Sequence, residues 1–138
     1  MTKIPKIDSS ARVQRALSRK DFDPVTQEVM ESAFNLRKND LGVSVDLSSK
    51  KKLRETAKRS GTKTVITLLV GKIRIISGLD VEHEPILAPP GQVNDAHSEI
   101  RGLPHPDNDR KAWELIAGKL VDIARPRCKP IKKLLPHN

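Results

Sequence analysis

Residues 93–104 read VNDAHSEIRGLP and place Asn94, Asp95, His97 and Glu99 within six positions. In an extended chain, side chains at i, i+2 and i+4 share a face. Asp95, His97 and Glu99 could therefore form one row, with about 7 Å between successive members. A carboxylate beside an imidazole orients its tautomer and raises its proton affinity, which acid–base catalysis requires. On that reading the chain is a small hydrolase or nuclease: His97 is the acid or base, Glu99 or Asp95 orients it, and Asn94 positions substrate. The competing reading is structural. Asn94 and Asp95 make a turn, and His97 bonds a backbone carbonyl to fasten the Pro-rich loop before it. The second is favoured, because the chain has no nucleophile motif and no glycine-rich phosphate loop, and Gly61 lies at the wrong spacing from Gly71-Lys72 for a Walker motif.

His83, His97, His105, Glu82 and Glu84 could be assembled around a metal, but no pair has the i, i+4 helical spacing of zinc enzymes, and His137 sits in a tail. Neither a metal nor a cofactor is expected.

Charge is the stronger signal. The net charge is +9, and all of the excess lies in three blocks: residues 1–20, 48–64 and 126–138. The intervening segments, 21–47 and 65–125, are net acidic. Basic blocks attract polyanions or acidic proteins over roughly 8–10 Å in physiological salt. Arg12, Arg15 and Arg19 would form one ridge if residues 9–19 are helical. Lys50, Lys51, Arg54 and Lys58 would form an arc on a second helix. These seven residues are the candidate binding set, with nucleic-acid backbone or an acidic protein as partner. With no Tyr, two Phe and one Trp, base stacking on an aromatic platform is not expected. Solvated basic faces serving solubility are the plain alternative.

The elements that must position these groups follow from periodicity. GVSVDL at 42–47 alternates as a half-buried strand does, and TVITLL at 64–69 is β-branched and continuously apolar, as a central strand is. Ser48 or Ser49 can cap a helix running to Gly61, although Lys50, Lys51 and Lys52 would then occupy a first turn where the helix dipole disfavours cations by about 0.3–1 kcal/mol each. The segment around Gly71 could be a return strand or a short helix. Strands are expected from 79 to 86 and from 98 to 103, separated by the irregular LAPPGQVN. Between Asn108 and Ala124, Trp113, Ile116, Ala117, Leu120 and Val121 fall on one helical face, capped by Asp107 or Asn108 and stopped by Pro126. Residues 25–40 remain open between a short helix and an irregular crossing.

At 138 residues the chain has room for one core. The expectation is a single small α+β domain over 9–125, with a mixed or antiparallel sheet, helices packed on one side and an amphipathic C-terminal helix. A flexible arm (1–8) and a basic Pro-rich tail (126–138) complete it. Apolar residues other than glycine make up 36%, a modest core that an obligate protein partner or a homo-oligomer could complete. The lone Cys128 excludes an internal disulfide and favours a cytoplasmic home, and no apolar run is long enough for a secretory signal or a transmembrane segment.

The runs FDPVTQEVMESAFNLRKNDLGVSVDL, 22–47, and GLDVEHEPILAPPGQVNDAHSEIRGLP, 78–104, resemble segments of small bacterial proteins of unassigned activity, in which a G-L-x-V strand leads through a Pro-rich loop to A-H-x-x-I-x-G. The resemblance implies a bacterial accessory protein and no particular activity. The favoured function, resting on lysines placed where helix electrostatics would disfavour them, is a non-catalytic adaptor or accessory subunit that presents the seven basic residues.

Overall fold

The computed structural model describes residues 6–60 and 64–126. Its frame is a six-stranded sheet made of β1 (Arg12–Leu17), β4 (Gly42–Leu47), β5 (Thr64–Leu69), β6 (Asp80–His83), β7 (His97–Arg101) and β8 (Arg125–Pro126). Every pairing is antiparallel, and the spatial order is β6-β7-β4-β1-β5-β8. A two-stranded ribbon, β2 (Phe22–Asp23) with β3 (Glu28–Val29), follows β1. The helices are α1 (Leu53–Ser60), α2 (Val70–Ile75) and α3 (Arg110–Ile123), with short 3-10 turns at Arg19–Asp21 and Glu31–Phe34. The chain is thus a single small α+β domain with an antiparallel sheet.

Alternation sorts the two faces of the sheet. Val13 and Leu17 of β1, Val43 and Val45 of β4, Ile66 and Leu68 of β5, and Ile100 of β7 point to one side and are buried in the main core. Trp113, Ala117 and Leu120 of α3 and Phe34 close that core, each large side chain contributing about 1.5–3 kcal/mol by burial. The Trp113 indole N–H donates to the Phe34 carbonyl at 3.1 Å, so its one polar atom is satisfied. α3 is capped by Asp109, whose carboxylate accepts from the Ala112 N–H at 3.0 Å.

Three expectations are corrected. Residues 12–17 form a central strand and not part of a helix over 9–19, because they pair with β5 along their whole length, from Arg12↔Leu69 to Leu17↔Thr64. The helix after β4 begins at Leu53, so Lys50, Lys51 and Lys52 precede its first turn instead of occupying it. Helices do not all lie on one side. α2 and α3 pack on the main core, while Leu53 and Ala57 of α1 pack with Val65 on the opposite face. The segment around Gly71 resolves as the helix α2. The basic tail, apart from Pro126, and residues 1–5 of the arm lie outside the described residues.

Candidate functional site

The sheet face under α1 is polar, and its polar groups are tied to one another. Gln14 of β1, 1% exposed, donates from Nε2 to the Thr56 hydroxyl at 2.7 Å and to the Lys51 carbonyl at 3.0 Å. Its Oε1 accepts from the Ser48 hydroxyl at 2.9 Å. The Thr56 hydroxyl donates in turn to Asp46 Oδ2 at 2.9 Å, and Asn94 Nδ2 donates to Asp46 Oδ1 at 2.8 Å. Lys51 Nζ stands 3.8 Å from Asp46 Oδ2, both side chains being largely buried. A buried carboxylate survives only when paired and hydrogen-bonded, and both Asp46 oxygens are. This network fastens α1 and the 48–52 connection onto β1 and β4.

Beside it the sheet opens. β1 and β4 pair only through Val13↔Leu47 and Gln14↔Asp46, then part. On the polar face the gap becomes a cavity of about 280 Å³ lined by Gln14, Ala16, Ser44, Asp46, Asn94 and His97, among others. His97 lies on its wall. Its Nδ1 is 2.7 Å from the Glu84 carbonyl, which can only accept, so Nδ1 carries the proton. In the neutral ring Nε2 is therefore the acceptor, and it faces the Ser44 hydroxyl at 3.2 Å.

The other members of the predicted acid–base set are placed elsewhere. Asn94 is buried and committed to Asp46, with its Oδ1 accepting from the Ala96 N–H at 3.2 Å. Asp95 faces solvent, 3.9 Å from Lys50 Nζ. Glu99 binds Arg101, whose guanidinium also holds Glu82 at 2.8 Å and Glu84 at 3.1 Å. Burial lowers the proton affinity of Arg101, but Glu99, Glu82 and Glu84 together outweigh it and the net direction is upward. His97 is thus oriented by a backbone carbonyl at the head of the Pro-rich loop and by neither carboxylate. Gln14, Ser44 and Thr56 complete the surroundings. Nothing in their local sequence marks them, because the bonds Gln14–Thr56, Ser48–Gln14 and His97–Ser44 each span more than thirty residues.

The seven predicted binding residues divide. Arg12 is exposed and shares the Gln14 side of β1, and its carbonyl accepts from the Ser48 N–H at 2.9 Å. That bond brings the first basic block against the second; Arg12, Lys50, Arg54 and Lys58 are exposed, whereas Lys51 is largely buried against Asp46. The acids nearby are engaged: Asp46 is buried, Asp95 approaches Lys50, and Glu55 reaches back to the Lys52 N–H at 3.3 Å. Arg15, three positions from Arg12 on a strand, turns to the opposite side and into the gap, and Arg19 lies in the 3-10 turn beyond the far end of β1. No three-arginine ridge exists.

Among the described residues no group of three or more His, Cys, Asp or Glu is placed to hold a metal ion, and no helix is long and apolar enough to cross a membrane. No family model matches the chain, and neither the curated proteins nor the solved structures contain a match to it.

Proposed function

We propose that the chain is a non-catalytic accessory subunit of a bacterial complex that holds the phosphate backbone of nucleic acid on the face carrying α1. The observation supporting this reading is the Ser48–Arg12 backbone hydrogen bond, which sets the Arg12 backbone against Ser48, at the start of the connection that carries Lys50 into α1. Arg54 and Lys58 stand at i and i+4 on that helix, and both are exposed while Thr56 and Ala57 face inward. Sparse aromatics favour backbone contact over base reading. Binding to a fluorescent duplex, titrated across salt, tests it. The logarithm of affinity is expected to fall linearly with the logarithm of salt, and each of Arg12→Gln, Arg54→Gln and Lys58→Gln is expected to reduce that slope by about 0.9. Absence of nucleic-acid binding, together with capture of a stoichiometric acidic protein that survives high salt, would replace this reading with a protein–protein one.

The alternative of a small hydrolase or nuclease retains one favourable observation. His97 Nε2 opens onto a cavity with Ser44 beside it, as a general base would. On this reading His97→Gln removes a hydrolytic activity while the thermal midpoint stays close to that of the parent. Wild-type chain inactive on nucleic acid and ester substrates would end it.

A further inference from the structure

The gap between β1 and β4 has a second side, away from α1, where a cavity of about 270 Å³ is lined by Arg15, Lys20, Asp21, Ser32, Asn35, Arg37, Asp40 and Ser44, among others. The Arg15 side chain enters the gap and is partly buried there. Nε donates to the Ala33 carbonyl at 2.8 Å and Nη1 to the Ser44 carbonyl at 2.7 Å. Those are neutral acceptors. Among the described residues Arg15 forms no ion pair, and both of its hydrogen-bond partners are backbone carbonyls.

The two acids in the cavity wall act on Arg15 through space but form no direct ion pair with it. Asp21 is held by the hydroxyls of Ser18 at 2.8 Å and Ser32 at 2.7 Å. Asp40 accepts from the Arg37 backbone N–H at 2.9 Å and from its Nε at 3.3 Å. Burial pulls the Arg15 guanidinium below its usual range, and Arg37 acts in the same direction. Asp21 and Asp40 act against them without restoring it. Nε and one Nη1 hydrogen of Arg15 are committed to the two carbonyls, and the donors left are those of Nη2 and the second Nη1 hydrogen. With Lys20 and Arg37 exposed in the same cavity wall, they make a cationic donor set suited to an oxyanion.

We propose that Arg15, Lys20 and Arg37 bind a phosphate group in this cavity, as inorganic phosphate or as the phosphomonoester of a small molecule. The volume lies just below the roughly 300–1,000 Å³ typical of sites for drug-sized ligands, so the occupant is small. The site opens away from α1 and needs none of the cations on that helix, although Arg15 and Ser44 line both cavities.

Calorimetric titration of the full chain with inorganic phosphate, and separately with glycerol phosphate, is the test. Binding of at least one is expected, and which one binds tells free phosphate from an ester. The double variant Lys20→Gln/Arg37→Gln changes only exposed side chains and is expected to weaken binding roughly tenfold or more. Arg15→Lys keeps the charge, loses the guanidinium donors and is expected to weaken it at least as much. If neither ligand binds up to about 10 mM, or if the double variant binds as the parent does, the proposal is overturned.

Discussion

The side chains of Gln14 and Thr56 meet at 2.7 Å although they lie forty-two residues apart, and the Thr56 hydroxyl donates in turn to Asp46. Thr56→Val keeps the volume and removes the relay, leaving a Gln14 N–H and an Asp46 oxygen short of partners in a buried place. A loss of about 1–3 kcal/mol is expected, read as a lower urea midpoint at unchanged slope. Ser48→Ala, at the half-buried end of the same network, is expected to cost less.

Gly78 and Gly102 both have positive φ, +84° and +106°, but their surroundings differ. A Cβ on Gly102 would collide with the Gly78 carbonyl oxygen, whereas a Cβ on Gly78 meets nothing within 4 Å. Gly78→Ala is therefore expected to cost about 1 kcal/mol from backbone strain alone. Gly102→Ala must also push backbone apart and is expected to cost several times that, or to prevent folding. Paired thermal melts check the ordering.

Trp113 is the one tryptophan and is buried, so its fluorescence reports unfolding of the main core directly. Trp113→Ala is expected to destabilise by about 3–5 kcal/mol. Trp113→Phe fills much of the space but leaves the Phe34 carbonyl without its donor, at an expected cost of about 1–3 kcal/mol. Circular dichroism follows both variants, since neither retains the fluorophore.

The hydrogen bond from Arg74 Nε, at 2.7 Å, holds the Asp80 carboxyl below the usual aspartate range, against an opposing effect of burial. A carboxyl lowered in the folded state contributes stability above its unfolded value of about 3.9, and that contribution is lost as pH falls through the folded value. Asp80→Asn is expected to flatten the acid limb of the stability profile below about pH 4 and to leave its shape near neutrality unchanged. The effect is modest, because half of the Asp80 side chain is exposed. Urea midpoints measured across that range would show it.

Elements whose apolar rhythm was undisturbed were legible in the sequence. GVSVDL became β4 and TVITLL became β5 at the expected boundaries, and the stripe through Trp113, Ala117 and Leu120 became α3. RVQRAL misled because Arg, Gln, Ala and Leu are good helix formers and because its arginines fall at helical spacing. Its strand state comes from six pairings with β5, a tertiary gain that no local propensity contains. A fully buried Gln14 also hides the alternation, since only a partner network makes a polar residue acceptable there. His97 and Asn94 stood out in the sequence, but their partners are a carbonyl and a buried carboxylate that the chain supplies from far away.

β1, early in the chain, ends up in the interior of the sheet, between β4 and β5. During vectorial synthesis it therefore emerges long before either neighbour exists, and it gains both only after residue 69 has been made. Pairings so distant in sequence close slowly, and until they close the strand's apolar side and both of its edges stay open to other chains.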